Sequence, residues 1–412
     1  MDAVSRRGVL WIAFVVVHAA VAVAGYILPS GPMGDVYLVY EPWSARALTG
    51  GGIVGITEPW VYPQLALVPL VLAWAFGFLT YTAGWAVFVT LIDAVVFRML
   101  VGTARSRGRV TGAWFWLAAI LLLGPVGMYR LDGVTVPLAL AGSLWLVGRP
   151  WLGAILLAVA TWIKVWPAAV LAAAVVTLRR RFTVIGGALV VSAVTLAVVF
   201  LAGGGSYAFA FVTEQTNRGL QIEAPVSGFY MLLASLGVEG ASVYYEPNIL
   251  TFQVTGPNVD AVIAAMTPLM LLAMGSVFVI GAVKSIRGAS FAAVFPALTL
   301  GLVLGFIVFN KVGSPQYIVW LVTPVIVGLV IDRAHWAKPA ILMLAIAGLT
   351  QGVYPLAYDG LLVAQIGAVL LVNLRNVLLV VLFAWTVYRL ARVRTRAHAA
   401  SLRFRRPAAV KG

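Results

Sequence analysis

One acidic side chain stands just after the first long apolar stretch of the sequence. It is Asp35, in the motif Gly34-Asp35-Val36-Tyr37, and it follows an apolar segment at residues 9–28. A carboxylate at the mouth of a partly dehydrated cavity is suited to act as a general base, which removes a proton from a reacting hydroxyl. An ordinary structural role also fits, because Asp commonly caps a helix and residues 36–47 can form one. From the residues alone, both interpretations stay open.

Several basic side chains are predicted at the same ends of apolar helices as Asp35, away from the basic runs between helices. They are Arg130, Lys164, Arg218, Lys311 and Arg375. A charge at such a position is costly if it faces lipid, so several together indicate a shared anionic ligand. Phosphate is the ligand we expect, because Arg and Lys bind it well. Alternatively, each side chain reaches the membrane surface or pairs locally, as Arg130 could with Asp132.

Two further segments bring polar groups to the same predicted side. Residues 217–223 alternate polar with apolar side chains and include Gln221 and Glu223, and a glycine among them permits a turn. Ser314-Pro315-Gln316-Tyr317 follows Lys311 closely. An ordinary solvated loop is the alternative interpretation of residues 217–223.

Two titratable residues, His18 and Asp93, fall inside predicted membrane spans. Asp93 could pair with Arg98, or it could act in a proton relay, which a transporter would need. His18 is more often a packed helix residue than a ligand. The chain has no cysteine, and we find no metal-ligand spacing, phosphate-binding glycine loop or Ser/His/Asp set. We therefore expect no metal and no cofactor.

The elements that position these residues must be membrane helices. Apolar residues make up 62% of the 412 residues and charged residues only 10%, and mean hydropathy is +1.02. Soluble domains are closer to half apolar and a quarter charged, so lipid must be the solvent for much of this chain. Apolar stretches long enough to cross a bilayer recur from end to end. We predict an all-α polytopic integral membrane protein, with one membrane domain at 1–392 and a basic tail at 393–412.

The charged residues set the predicted topology, with both termini in the cytoplasm and a plasma-membrane location. Most of the 28 Lys and Arg fall on predicted inner segments and most of the 13 Asp and Glu on outer ones, as the positive-inside rule requires. The same rule explains the net charge of +15 without a nucleic-acid partner. About twelve spans result, with outer loops at 29–60 and 203–258.

Several predicted spans depart from a simple crossing. The stretch 62–78 is predicted to be a re-entrant or interfacial helix on the outer side. The segment 151–178 is too long for one span and is predicted to break at Lys164-Val165-Trp166-Pro167, since proline cannot continue the hydrogen-bond ladder. Broken helices at membrane depth are tolerated where they line a cavity. The last helices are predicted at 317–331, 338–353 and 374–392.

The ordered set of motifs resembles the polyprenol-phosphate-sugar-dependent membrane glycosyltransferases of the GT-C superfamily, and glycosyltransferase family 87 in particular. The matching pieces run almost from end to end of the chain: Gly34-Asp35-Val36-Tyr37, Tyr62-Pro63, Arg130-Leu131-Asp132, Lys164-Val165-Trp166-Pro167, residues 218–223, residues 314–320 and Leu374-Arg375-Asn376. The resemblance implies an inverting transfer of a sugar, typically mannose, from a polyprenyl phosphate to a lipid-linked glycan at the outer face.

Roles for individual residues follow from this resemblance. Asp35 would be the general base, and Lys164, Arg218 and Lys311 would neutralise the leaving phosphate, together with Arg130 and Arg375. The sugar and acceptor site would be lined by Tyr62, Gln221, Glu223, Gln316 and Tyr317. Partners would be the lipid-linked donor, a lipid or glycolipid acceptor and membrane lipids.

Two departures from the family pattern bear on donor identity. Gln64 stands after Tyr62-Pro63 where a second proline is common, and Gln316 stands near the position of a histidine in several relatives. The alternative function is a multi-pass transporter or lipid flippase. That class needs polar residues near the midplane and often a repeat in the two halves, and neither is clear in the sequence.

Overall fold

The structure of the chain, a computed structural model, describes residues 3–77, 79–214, 218–247 and 249–395. Most of these residues are helical, and a two-stranded antiparallel sheet is present among them. The nearly all-α architecture predicted from composition is therefore confirmed. The predicted basic tail lies almost entirely outside the described residues.

The helices of the N-terminal half are α1 (Ala3–Ile27), α2 (Glu41–Thr49), α3 (Leu67–Leu72), α4 (Tyr81–Val101), α5 (Arg107–Leu123), α6 (Pro125–Met128), α7 (Asp132–Trp145), α8 (Pro150–Ile163), α9 (Ala168–Thr177) and α10 (Arg181–Leu201). The C-terminal half contains α11 (Ala210–Thr213), α12 (Ser227–Ser235), the strands β1 (Ser242–Glu246) and β2 (Thr251–Thr255), α13 (Val259–Ile286), α14 (Phe291–Val308), α15 (Val322–Gln351), α16 (Tyr358–Leu362) and α17 (Ile366–Ala391). Short 3-10 segments occur at Gln64–Ala66, Ala73–Phe76, Gly205–Tyr207 and Pro315–Leu321, and π-helical turns at Asp35–Tyr40 and Gly352–Leu356.

Within the described residues, seven helical segments are long and apolar enough to cross a membrane. They are α1, α4, α10, α13, α14, the segment Pro315–Leu356 that contains α15, and α17. The chain thus has the architecture of a polytopic membrane protein. The larger predicted number of about twelve spans also counts α5, α7, α8 and α9 and treats the two halves of α15 separately.

Helix α15 is two helices joined by a sharp turn. Asp332, with φ −147° and ψ 72°, interrupts the helical backbone. A Cβ at Gly108 in α5 would lie 2.8 Å from the carbonyl oxygen of Leu329 in the first half, and one at Gly348 in the second half would contact Leu122 near the other end of α5. The two halves therefore run in opposite directions along α5, as the predicted segments 317–331 and 338–353 require.

Several helix ends meet on the face of the molecule that carries the Asp332 turn. The Ser285 hydroxyl at the end of α13 donates to the carbonyl oxygen of Val176 in α9 at 2.8 Å. Arg389 at the end of α17 donates to the carbonyl oxygen of His335 at 2.5 Å and lies 3.6 Å from Asp332. The predicted site residues lie at the opposite ends of these helices.

The predicted break after α8 is confirmed. Helix α8 ends at Ile163, Lys164 adopts an extended backbone, and α9 begins after Pro167. The Trp166 indole N–H donates to the Thr135 hydroxyl of α7 at 3.0 Å, which fixes the break against a neighbouring helix. Lys164 closes the helical ladder of α8, because its N–H still donates to the carbonyl oxygen of Ala160 at 2.9 Å, and its ammonium group lies 2.6 Å from Asp132 in α7.

The stretch 203–258, predicted as one long loop, contains regular structure. Helix α12 and the β1–β2 hairpin pack with α16 and the start of α17 around a second buried apolar cluster, separate from the main core between the helices. The segment 220–222 joins β2 through the N–H of Val254, which donates to the carbonyl of Leu220 at 2.9 Å. A small folded layer therefore covers this end of the helices.

Two local predictions are wrong. Helix α17 begins at Ile366, well before the predicted residue 374, because Arg375 is neutralised inside the helix by an ion pair and does not mark its end. Asp93 pairs with His18 across α1 and α4 at 3.1 Å, and not with Arg98. The ion-pair partners, Glu223 for Arg375 and His18 for Asp93, lie far away in the sequence, so neighbouring residues do not predict them.

The sharp turn in α15 depends on close packing at Gly328, where an added Cβ would lie 2.0 Å from the ring of Trp336. Trp336 is 1% exposed and cannot move aside. We expect Gly328→Ala to destabilise the protein by about 1–3 kcal/mol, the usual cost of overpacking a buried contact. Gly275→Ala in α13, where a Cβ meets nothing within 4 Å, is the matched control. Thermal unfolding in detergent should give a lower midpoint for Gly328→Ala than for Gly275→Ala. Equal midpoints would argue against this packing.

Candidate functional site

The tripeptide Arg130-Leu131-Asp132 connects α6 to α7, which begins at Asp132, and it carries two buried charges of opposite sign. Arg130 is 5% exposed and Asp132 is fully buried. The predicted local pair between them is wrong, because each side chain is neutralised by a residue from a different element. Arg130 Nε lies 3.1 Å from Asp35 Oδ2, and Lys164 Nζ lies 2.6 Å from Asp132 Oδ2. One turn of chain thus brings Asp35 and Lys164 into the same region.

Asp35 is the first residue of the short π-helical turn that runs into α2, and the N-cap positions of this turn and of α2 are occupied by Gly34 and Tyr40. The capping role considered from the sequence is therefore not the one it adopts. Its carboxylate faces Arg130 and remains about one-third exposed. An orienting cation on one side and solvent access on the other suit a group that must accept a proton from an incoming hydroxyl.

The Arg130 guanidinium is held from several sides. Nη1 donates to the carbonyl oxygens of Pro32 and Tyr129, each at 3.0 Å, and Nη2 donates to the Tyr354 hydroxyl at 3.4 Å. Nε has no hydrogen-bond acceptor among the described residues, so its approach to Asp35 is an ion pair without a linear hydrogen bond. The loop after α1 and the turn after α15 therefore converge on this one side chain.

Lys164 is enclosed by aromatic rings as well as by Asp132. Its ammonium nitrogen lies 5.7 Å from the ring centres of Tyr62 and Trp320 and 6.0 Å from that of Tyr317. Tyr317 and Trp320 stack at 4.1 Å, and the Trp320 indole N–H donates to the second oxygen of Asp132. Both oxygens of Asp132 are thus used, so it positions Lys164 and is not available as a base.

Tyr62 connects the two ion pairs. It interacts electrostatically with Asp35 and Asp132 and lies over Lys164. Burial raises the pKa of the Tyr62 phenol well above its usual range, so the ring presents a neutral hydroxyl at neutral pH. A neutral phenol can both donate and accept a hydrogen bond, as a site for sugar hydroxyls requires.

Glu223 and Arg375 form a third buried pair, at 2.6 Å. Arg375 also donates to the backbone carbonyl of Glu223 at 2.7 Å and to the side chain of Asn376. These contacts consume its donors and fasten the segment at residues 220–224 to α17. The close approach of Gly313, where a Cβ would lie 2.1 Å from the backbone nitrogen of Ala224, holds the same segment from the other side.

Arg218 differs in its pairing from the other basic residues that are predicted to bind phosphate. It forms no ion pair with any described residue, and its buried Nε has no hydrogen-bond partner among them. It interacts electrostatically with Tyr317, which places it beside the rings around Lys164. A partly buried guanidinium whose Nε has no acceptor among the described residues is a candidate site for an anion.

The remaining predicted residues are Gln221, Lys311 and Gln316. The backbone N–H of Gln221 donates to the carbonyl oxygen of Lys311 at 3.1 Å, and burial lowers the pKa of the Lys311 ammonium group. The Gln316 side-chain oxygen accepts from the Ser314 hydroxyl. A backbone hydrogen bond therefore joins the segments of Gln221 and Lys311, whereas the Gln316 side chain contacts its neighbour Ser314.

Sequence reasoning did not single out Tyr354 or Trp320 as site residues, although Trp320 closes the motif at 314–320. Both act on the buried charges, through Arg130 and Asp132 respectively. Across the described ranges, no three His, Cys, Asp or Glu side chains lie close enough to share a metal ion.

No protein-family model, curated protein or solved structure matches this chain. The arrangement of charges and rings must therefore be interpreted on its own chemistry.

The Lys164–Asp132 pair should behave as a buried ion pair. We expect Lys164→Met to cost about 3–5 kcal/mol, because it leaves a buried carboxylate without its cation. Adding Asp132→Asn removes that charge while keeping an oxygen for Trp320, so the double variant should recover most of the loss. Thermal unfolding midpoints in detergent measure both, with the exposed Lys338→Met as control. A loss no larger than that of the control would show that the pair does not hold the site.

Proposed function

We propose that the protein is a glycosyltransferase that moves a sugar from a polyprenyl-phosphate donor to a hydroxyl of a lipid-linked glycan. One observation carries the proposal: a part-exposed carboxylate, Asp35, is held by Arg130 beside a lysine walled by aromatic rings and an arginine, Arg218, that forms no ion pair with any described residue. A carboxylate that takes a proton and cations that receive a leaving phosphate are the two groups that such a transfer needs. The sugar, mannose by resemblance, stays a prediction.

In the proposed reaction, the acceptor oxygen attacks the anomeric carbon and forms the new glycosidic bond. The acceptor proton passes to Asp35. The bond between the anomeric carbon and the phosphate oxygen breaks, and its electron pair leaves with the polyprenyl phosphate. Attack from the side opposite the leaving group inverts the anomeric centre, as the resemblance implies.

The basic residues have two roles in this proposal, phosphate binding and positioning. Arg218, which has no carboxylate partner among the described residues, receives the leaving phosphate together with Lys311. Arg130, Lys164 and Arg375 are already paired with carboxylates, so we assign them to positioning. The sequence predicts that these three residues contact the phosphate, whereas the proposal assigns them no phosphate contact.

The predicted membrane orientation supports the same function. The face that carries the Asp332 turn also carries the basic residues Lys284, Arg287, Arg333 and Arg389, which we place in the cytoplasm by the positive-inside rule. Asp35 and its neighbours then open at the outer boundary of a plasma membrane, where a polyprenyl tail stays in lipid while its phosphate reaches the cations. Twelve spans in the count given above, with both termini inside, fit this placement.

The transporter alternative receives less support. The intramembrane acid that suggested it, Asp93, is paired with His18, which also hydrogen-bonds to the carbonyl oxygen of Phe14 at 2.9 Å and stacks on the Phe14 ring. These contacts describe a packed polar link between α1 and α4. Substrate flux across vesicles without sugar transfer would favour the transporter over our proposal.

The role of Asp35 can be tested with its amide isostere. We expect Asp35→Asn to lower the rate of sugar transfer from a labelled polyprenyl-phosphate donor by about 10²–10⁴-fold, the usual contribution of a general base. The variant also leaves the buried Arg130 without its carboxylate and should lower stability, so transfer rates are compared per amount of folded protein. Donor binding should change little, because the side-chain shape is kept. Asp359→Asn, an exposed carboxylate bonded to Ser30, is the matched control. Equal activity of the two variants would remove Asp35 from the mechanism.

Arg218 provides an independent test of phosphate stabilisation. We expect Arg218→Gln to lower kcat by about 10²-fold or more, since a cation that meets charge developing in the transition state acts mainly on kcat. Single-turnover transfer rates in nanodiscs at saturating donor measure this step. The exposed Arg149→Gln is the control. A higher KM for the donor with unchanged kcat would instead indicate that Arg218 only binds the ground state.

A further inference from the structure

A cleft lies beside Tyr62, outside the group of residues assigned to the reaction. It has a volume of about 130 Å³ and is lined by Trp43, Arg46, Glu58, Trp60 and Glu214 among others. Trp43 and Trp60 meet edge to face at 5.6 Å, and their ring centres lie 6.2 and 5.7 Å from that of Tyr62. The aromatic wall therefore continues from the cleft to the ring that covers Lys164.

The polar groups of the cleft have unused hydrogen-bonding capacity. Trp60 is 2% exposed, and its indole N–H has no acceptor among the described residues. Arg46 Nη2 donates to Glu58 Oε1 at 2.6 Å, and both side chains remain more than one-third exposed. A buried donor without a partner usually has a structural or ligand-binding explanation, and here the indole ring that carries the donor lines a cleft.

A structured loop presents these groups. The N–H of Gly55 donates to the carbonyl oxygen of Glu58 at 2.8 Å, and the Thr57 hydroxyl accepts from the N–H of Ile53 at 2.8 Å. Gly55 has φ +78°, a backbone conformation that residues other than glycine rarely adopt. The positions of Glu58 and Trp60 are thus fixed by the backbone before any ligand binds.

The residues that line the cleft favour a neutral ligand with several hydroxyl groups. Two carboxylates, Glu58 and Glu214, disfavour an anion such as phosphate. Tryptophan rings offer apolar area with a donor at one edge, and the carboxylate and guanidinium offer acceptors and donors to hydroxyl groups. The volume is well below the roughly 300–1,000 Å³ of pockets for drug-sized ligands, which fits a single ring entering by its edge.

We infer that this cleft is a subsite for a sugar ring of the acceptor glycan, with Trp43 and Trp60 as its walls and the Trp60 N–H as a hydrogen-bond donor to a ring hydroxyl. The inference rests on the proposed function, because the cleft adjoins the reaction site through Tyr62. A ring held there lies next to the place where an acceptor hydroxyl must approach Asp35. The subsite thus explains how an acceptor is chosen without a contact to the donor phosphate.

The test measures sugar binding apart from catalysis. Saturation-transfer NMR with a panel of methyl glycosides of common hexoses reports direct binding to the detergent-purified full chain. We expect at least one glycoside to bind wild type, and Trp60→Phe, which keeps the ring but loses the N–H, to bind it roughly 2–10-fold more weakly, as the loss of one hydrogen bond implies. Trp43→Leu should weaken binding further. Trp114→Phe, on the exposed side of α5, is the control.

Transfer kinetics separate this inference from the proposed function. Trp60→Phe should raise the acceptor KM while leaving the donor KM and kcat unchanged, and Asp35→Asn should bind the glycosides as wild type does. If Asp35→Asn keeps full transfer activity while glycoside binding still depends on Trp60, the proposed base is wrong and the subsite stands. Failure of every glycoside to bind wild type, or equal binding by Trp60→Phe, Trp43→Leu and the control, overturns the subsite.

Discussion

A charged side chain buried at membrane depth must meet an opposite charge, because neither lipid nor a dry protein interior solvates it. In this chain that constraint acts at Arg130-Leu131-Asp132, where two buried charges of opposite sign sit two residues apart. Each recruits a partner from far along the sequence: Asp35 from the segment after α1, and Lys164 from the break between α8 and α9. The rest of the candidate site is assembled around these two pairs.

The same constraint explains which basic side chains remain available to bind an anionic ligand. Arg375 is neutralised by Glu223 and anchors the 220–224 segment to α17. Arg218 lies at the start of that segment with an unsatisfied Nε. The buried pairs hold these segments together, while Arg218 forms no ion pair with any described residue and the Asp35 carboxylate stays about one-third exposed. Preorganised charges of this kind are suited to a reaction in which a proton and an anion leave in different directions.

Much of this arrangement could be predicted from the sequence, but the pairings could not. The break at Lys164–Pro167 follows from proline chemistry and from the basic residues at both ends of the segment. Asp35 is notable as a carboxylate against an apolar background. The partners of Arg130, Asp93 and Arg375 lie tens to hundreds of positions away, and a single sequence contains no signal that links them. The start of α17 differs from its predicted position because Arg375 is neutralised inside the helix by Glu223 and does not mark the end of the span.

The central claim is that the paired charges around Arg130 and Asp132 open at the outer boundary of the membrane, opposite the basic helix ends. Because the chain has no native cysteine, single cysteines can be placed at exposed positions and labelled in intact cells with a membrane-impermeant maleimide. We predict that Tyr37→Cys and Glu239→Cys react without permeabilisation, whereas Arg287→Cys and Lys338→Cys react only after it. Labelling in the reverse pattern, or of both pairs from the same side, would contradict the account.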